Sequence, residues 1–303
     1  MASILEQLKT VIPDVVVEEG ELLAAFTAIK IGGPARYFLR ARSLEVLKTA
    51  VLEARKIAIP TVVFGAGSGV LVADNGFDGL VIKTEDRHWE TDGEIVRSGS
   101  GIPLVFLARE AAKAGNTGFE FMAAVPGTVG GAIRGNAGIG ARSIGESIVR
   151  VRILDEQGKD RWLLKEECRF GYRSSVFQRH RDWVILEGEF FMEFGNKEIS
   201  EAKVIEILQK KAAVPSLGLP AVYAFRDVDR DGSMIAPGEL IKEVGLETAV
   251  VGGAAVSTDD PSYLVNTGGA TADQMIQLMS LLKTRVRDSL GVQLVDAVEL
   301  VGF

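Results

Sequence analysis

The sequence predicts an α+β protein in which two glycine-loop subdomains precede a smaller α/β domain. Three observations carry this expectation. Glycine is abundant, at 34 residues, and clusters form at 65–69, 126–140, 252–253 and 268–269. Between these clusters, helix-type and strand-type apolar patterns alternate. After the turn Phe194-Gly195-Asn196-Lys197 the chain changes character and a polar amphipathic stretch begins. For 303 residues two or three domains are expected, and the divisions fall at 1–85, 86–195 and 196–303.

The first strong helical pattern runs from Leu44 to Lys56, with leucines, valine and alanines at helical spacing. Ile57-Ala58-Ile59-Pro60 then leads into the apolar strand Thr61 to Phe64. Val70 to Asp74 is β-like and ends in a turn at Asn75-Gly76. Pro103 to Gly115 reads as a helix with proline in its first turn and glycine just past its end. Arg150 to Leu164 reads as a hairpin around Asp155-Glu156-Gln157-Gly158, and Trp183 to Phe194 as a further strand. In the last domain Glu198 to Ala213 is an amphipathic helix, followed by an irregular stretch to Pro237. A short helix, Gly238 to Val244, precedes the strand Ala249 to Val256. Thr271 and Gln274 form a capping box that opens a helix to Leu290, and the strand Val292 to Val301 ends the pattern.

Hydrophobic residues make up 47% and charged residues 25%, which excludes a disordered, collagenous or coiled-coil protein. No apolar run approaches the ~18 residues of a membrane span, and Met1 to Leu8 lacks the basic start of a signal peptide. A cytoplasmic protein without a membrane partner is expected. The balance of 34 basic and 41 acidic residues, net −7, argues against nucleic acid. An anionic ligand remains compatible through backbone amides and a few arginines. The single cysteine, Cys168, excludes an intramolecular disulfide and a cysteine-cluster metal site, and reads as a packed thiol. His88 and His180 lie in charged stretches and read as solvated, so neither a metal centre nor a Ser-His-Asp triad is expected.

Three loops could carry chemistry. Gly65-Ala66-Gly67-Ser68-Gly69 follows a strand, and its small residues would let backbone N–H groups approach a phosphate. A Rossmann fingerprint needs a helix next. A β-like run follows instead, so the loop fits either a tight connection or a different dinucleotide cradle. The second loop joins Pro126-Gly127-Thr128-Val129-Gly130-Gly131 to Asn136-Ala137-Gly138. Two glycine-rich segments so close together cost folding entropy, which points to a large ligand lying against the backbone. The third, Asp227 to Gly232, imitates the start of an EF-hand loop. Its twelfth position is Gly238 instead of glutamate, so it reads as an acidic surface turn.

In this order the loops resemble the UDP-N-acetylenolpyruvoylglucosamine reductase family over about Thr27 to Gly302. The matching segments include Lys30-Ile31-Gly32-Gly33-Pro34-Ala35, Gly65-Ala66-Gly67-Ser68, Asn75-Gly76-Phe77-Asp78-Gly79, Pro126 to Ala132, Asn136-Ala137-Gly138, Phe170-Gly171-Tyr172-Arg173-Ser174-Ser175 and Val251-Gly252-Gly253-Ala254. The resemblance implies a two-subdomain FAD-binding module of the p-cresol-methylhydroxylase type plus a C-terminal α/β substrate domain. It also implies FAD as cofactor, NADPH as electron donor, and as substrate a UDP-sugar enolpyruvyl ether of peptidoglycan synthesis or a related unsaturated acid. In that family hydride passes from the flavin to the enolpyruvyl double bond and a serine protonates the resulting enol(ate). The FAD-binding positions carried over are Gly65, Ala66, Gly67, Ser68, Gly69, Pro126, Gly127, Thr128, Gly130, Gly131, Asn136, Ala137 and Gly138. Tyr172 and Arg173 would sit beside flavin and substrate, where a permanent cation suits a carboxylate or the flavin pyrimidine edge.

The substrate positions depart from the family pattern. Aligned on Phe225, Tyr223 stands for the general-acid serine, Arg226 for a lysine and Asp227 for an asparagine. The family's C-terminal glutamate falls on Ala297, an asparagine on Gly69 and a glutamine on Ala255; a histidine and an asparagine fall on Asp260 and Ser262. Tyr223 is the candidate acid that remains, although a phenol with a reference pKa near 10 is a mediocre donor. The expectation is a reductase of impaired or altered activity. The alternative is an FAD-binding protein with a remodelled pocket that has lost the original reaction, and a more distant flavin oxidase is disfavoured by the C-terminal matches.

Overall fold

A computed structural model describes residues 4–12, 15–140, 142–213, 219–230 and 232–303. They form two compact units, one of Met1–Glu19, Tyr37–Ala66 and Gly79–Val214, the other of Gly20–Arg36, Gly67–Asp78 and Pro215–Phe303.

The first unit holds two apolar cores. In one, the helix Leu44–Lys56 buries Leu47, Ala50, Val51 and Ala54, a spacing that places them on one helical face. Its start is fixed by Ser43, whose hydroxyl accepts from Val46 N. The helix packs with Tyr37, Leu39, Leu80 and Ile82 of the sheet ordered Val17–Leu22, Pro34–Ala41, Phe77–Thr84, Thr61–Phe64.

The second core lies under a five-stranded antiparallel sheet, ordered Asp160–Leu164, Ile148–Leu154, Val184–Phe191, Ile95–Gly99, Trp89–Asp92. The expected hairpin is its edge. Its turn closes through Gly158 N donating to Asp155 O, with Gly158 at φ +80°. Strand alternation sends Val151 and Ile153 into the core with Phe119 and Phe190. On the other face Glu189 accepts from Arg97 and Arg150, and Glu187 from Arg152.

In the second unit the helix Ala272–Leu290 buries Met275, Leu278, Met279, Leu282 and Val286. Around it lie Ile29, Ile31, Leu71, Val222, Phe225 and Leu264. The Thr271–Gln274 capping box is formed, and Gly291 ends the helix at φ +69°. The sheet beside it is ordered Ala221–Tyr223, Tyr263–Asn266, Ala254–Val256, Val250–Val251.

Several expectations are corrected. The expected strand Ala249 to Val256 is a hairpin that reverses at Gly252-Gly253, with Gly252 at φ +57°. The final strand shrinks to Glu299–Val301, which pairs in parallel with Val70–Val72. The divisions at 85 and 195 stay a proposal for the subdomains, while the compact units are bounded elsewhere. Residues 20–36 and 67–78 join the second unit because Ile29, Ile31 and Leu71 pack into its core. The helix Lys197–Ala213 joins the first: Val204 packs into the core there, and Ser200 donates to the buried Glu120 at 2.7 Å. The acidic turn is a hairpin of Val228–Arg230 and Ser233–Ile235 in which Asp229 accepts from Gly232 N. Asp231 lies outside the described residues.

Candidate active site

In the first unit the strand Thr61–Phe64 delivers Gly65 against Thr128 of the second glycine loop. A β-carbon on Gly65 would fall 2.2 Å from Thr128 Oγ1, so only glycine permits the approach. That hydroxyl is buried and has no hydrogen-bond partner among the described residues. A buried hydroxyl left unpaired is costly, and a ligand atom would remove the cost. The loop itself is pinned. Gly130 N donates to Ser100 O at 2.9 Å, Val129 N to Ile102 O at 2.9 Å, and Leu104 N to Gly127 O at 3.1 Å. Gly127 has φ +136°, a conformation for glycine. No helix is expected from the sequence here, yet Val129–Gly135 forms a short one.

The glycines divide by what surrounds them. Beside Gly130 a β-carbon would stand 2.8 Å from Ser100 Cβ, and beside Gly138 it would stand 1.9 Å from Arg142 O. Those two serve the protein's own packing. Gly131 has its nearest neighbour, Thr128 Oγ1, at 3.7 Å, so the protein leaves room there. Asn136, at φ +44°, ends the short helix and takes a structural part. Its amide donates to Gly171 O at 2.7 Å and its carbonyl accepts from Gly145 N at 3.0 Å. Ala137 N donates to Ala132 O. The loop is thereby tied to the tight turn in which Gly171 and Ser174 exchange backbone hydrogen bonds. At the tip of that turn stand Tyr172, about half exposed, and Arg173, at φ +48°. A left-handed arginine is strained by roughly 1–2 kcal/mol, a cost met at functional turns. Its guanidinium lies 6.0 Å from the Tyr172 ring centroid.

Lys83 was not singled out from the sequence. It pairs in register with Phe64 and its amine donates to the Gly65 carbonyl. Burial pulls its ammonium below the ordinary value, only partly offset by Glu85. The readable signal was a lysine closing the apolar run Leu80-Val81-Ile82. Elsewhere in this unit a cavity of about 540 Å³ is lined by Arg97, Arg150, Arg152, Glu90, Glu187 and Trp162. None of the candidate site residues lines it. Cys168 is buried, and burial with Glu167 and Glu166 nearby pushes its thiol up to about 12.

The remaining candidates belong to the second unit. Gly67, at φ +65°, lies against Phe26, whose carbonyl a β-carbon would meet at 2.0 Å, and Gly67 O accepts from Ala28 N. Ser68 follows, and beside Gly69 the space is open. Tyr223 ends the strand Ala221–Tyr223, with its ring edge-to-face on Tyr263 at 5.2 Å. Its hydroxyl donates to Asp227 Oδ1 at 2.5 Å. Ala297 N donates to Ala224 O at 2.8 Å, so the backbone at 297 is held beside the residue that follows Tyr223. Asp296 pairs with Lys283 at 2.6 Å.

Comparison with known proteins settles the family. Residues 35–163 match the FAD binding domain family, and residues 174–301 match the UDP-N-acetylenolpyruvoylglucosamine reductase C-terminal domain. A UDP-N-acetylenolpyruvoylglucosamine reductase of Anoxybacillus flavithermus is 35% identical over 290 residues, 94% of each chain. The chain belongs to the UDP-N-acetylenolpyruvoylglucosamine reductase family. The Bacillus velezensis member is 36% identical over 287 residues, 94% of this chain and 93% of that one. The crystal structure of UDP-N-acetylenolpyruvylglucosamine reductase from Thermus caldophilus superposes with a TM-score of 0.75 at 28% identity, covering 95% of this chain and 99% of that one. The family assignment makes the chain an FAD-dependent oxidoreductase with an α+β FAD-binding module followed by the family's C-terminal domain. Among the described residues no helix is long and apolar enough to cross a membrane.

Proposed function

We propose that this chain reduces the enolpyruvyl double bond of a UDP-sugar ether with electrons from NADPH, in peptidoglycan precursor synthesis, and that its protonation step is slow. The observation that carries the reading is the 35% identity to a reductase of that name along 94% of the chain. When bound, FAD supplies a two-electron carrier between NADPH and the double bond. The cradle fits such a group: Thr128 offers an unpaired buried hydroxyl, and Gly65 and Gly131 keep the backbone bare beside it. Thr128, the backbone at Gly65-Ala66 and the Pro126–Gly131 segment would hold the dinucleotide. Lys83 adds positive charge beneath Gly65, and Asn136 fixes the loop.

Arg173 presents a permanent cation at an exposed turn, suited to a carboxylate on which negative charge grows. Tyr172 offers a flat exposed face next to it. Tyr223 stands at the family's acid position with its proton directed to Asp227, and Ala297 offers no carboxylate. Losing a placed acid and a charge-stabilising group costs roughly ten-fold to a thousand-fold each. Tyr223→Ser combined with Ala297→Glu should raise reoxidation of the reduced flavin by UDP-N-acetylenolpyruvoylglucosamine more than the single changes together, since groups acting as one unit are non-additive. Unmodified protein turning over at about 10 per second would refute the slow step. The Tyr223–Asp227 bond also favours a second reading, in which the flavin serves another acceptor and the original reduction is lost. In that case neither the unmodified protein nor the double variant is reoxidised by the enolpyruvyl ether.

A further inference from the structure

We propose that Asp227 is a positioning residue that turns the single hydroxyl proton of Tyr223 away from the substrate carbon and thereby slows proton delivery. The inference rests on the reading of Tyr223 as the occupant of the acid position. A phenol has one proton to give, and an ionised carboxylate can only accept. In this structure Tyr223 donates that proton to Asp227 Oδ1 at 2.5 Å, the length of a strong charge-assisted bond.

Both partners are held. The strand pairing Tyr223↔Tyr263 sets the two rings edge-to-face, with an interplanar angle of 75°. Arg226, next to Asp227, donates from its backbone N to Val295 O at 2.8 Å and from Nε to Asp296 O at 3.2 Å. On the far side, the hairpin beginning at Val228 fixes the exit of the chain. Residues 224–227 therefore have little freedom to withdraw the carboxylate from the hydroxyl.

The chemical consequence concerns the second half of the reduction. Hydride brings two electrons to one carbon of the double bond, and the other carbon must then gain a proton. If Tyr223 supplies it, the phenolic O–H bond breaks, a C–H bond forms, and a phenolate is left facing the Asp227 carboxylate. Two adjacent negative charges oppose that step. Water returns the proton afterwards. An asparagine at 227 has an amide that can donate to the Tyr223 oxygen, so the hydroxyl proton is released towards substrate and the phenolate is stabilised.

The test uses the FAD-loaded protein reduced by NADPH and mixed with UDP-N-acetylenolpyruvoylglucosamine, with the reductive step timed alongside as reference. Asp227→Asn should speed reoxidation at least ten-fold relative to that reference. Tyr223→Phe placed on the same background should remove the gain. Asp227→Ala, which takes the acceptor away without supplying a donor, should give a smaller gain. An independent readout is NMR of tyrosine labelled at Cζ, which is tractable with four tyrosines. The Tyr223 signal, assigned by its loss in Tyr223→Phe, should move in Asp227→Asn while the other three stay. A Tyr223 signal that does not move shows the pair is absent and overturns the proposal. Equal reoxidation of the unmodified and Asp227→Asn proteins overturns the role of Asp227 alone. Reoxidation of neither, with the signal shift intact, overturns the functional reading and the catalytic role built on it.

Discussion

Thr128 Oγ1 lies 2.2 Å from the point where a β-carbon on Gly65 would stand, and it is buried without a partner among the described residues. Within the first unit, Gly65 and the Pro126–Gly131 loop therefore meet at this hydroxyl. Thr128→Val keeps the volume and removes the hydroxyl. FAD affinity should fall up to about ten-fold, in line with the ~0.5–1.5 kcal/mol of a typical hydrogen bond, while the apoprotein loses no thermal stability. Titration of the apoprotein by flavin fluorescence, beside a melting curve, checks both. Unchanged affinity would show that Thr128 does not face the cofactor.

Gly130 and Gly131 should answer differently to the same substitution. Valine at 130 must displace Ser100, an overpacking expected to cost about 1–3 kcal/mol of stability. A β-carbon at 131 meets only Thr128 Oγ1, at an ordinary contact distance of 3.7 Å, so with valine there the fold should persist while FAD binding is lost. Full FAD binding by Gly131→Val would mean that the segment is only a tight connection.

Glu189 should contribute a pH-dependent part of the stability. Burial alone would raise its carboxyl, but hydrogen bonds from Arg150 and Arg97 outweigh this and hold it below the ordinary value. A depressed carboxyl stabilises the fold above its unfolded value of about 4.3, and the contribution disappears as pH falls through the lower folded value. Glu189→Ala should cost about 3 kcal/mol at pH 7, the lower end for a broken buried pair, because its arginine partners are about a third exposed. Denaturant melts from pH 7 to pH 3 should show the variant and the unmodified protein converging. A constant difference over that range would contradict the assignment.

Cys168 should be inert. With its thiol pushed up to about 12 by burial, the thiolate is scarce at pH 8. Iodoacetamide should modify it only after denaturation, as followed by mass spectrometry. Rapid labelling of the native protein would show an open path to the sulfur.

Much of this was legible in the sequence because local signals decided it. Ser43, the Thr271–Gln274 box and Gly291 mark helix ends by their own chemistry. The hairpin at Asp155–Gly158 follows from alternation and a turn glycine. What was missed depends on distant partners. Residues 20–36 join the second unit through Ile29 and Ile31, which pack with residues some two hundred positions away. The Gly252-Gly253 reversal was a readable signal passed over inside an apolar run. Within the site, the glycines announced a cradle but not which of them face a ligand. Gly130 and Gly138 serve Ser100 and Arg142, and only the spatial neighbours reveal it. The bond from Tyr223 to Asp227 likewise depends on a side-chain direction that spacing does not specify.

The most direct measurement is a two-step anaerobic experiment on the purified protein, followed at the flavin absorbance. NADPH should bleach a non-covalently bound FAD, and UDP-N-acetylenolpyruvoylglucosamine should then restore its colour slowly, well below about 10 per second. A protein that takes up no FAD, or one whose reduced flavin is never reoxidised by that ether, would contradict the account.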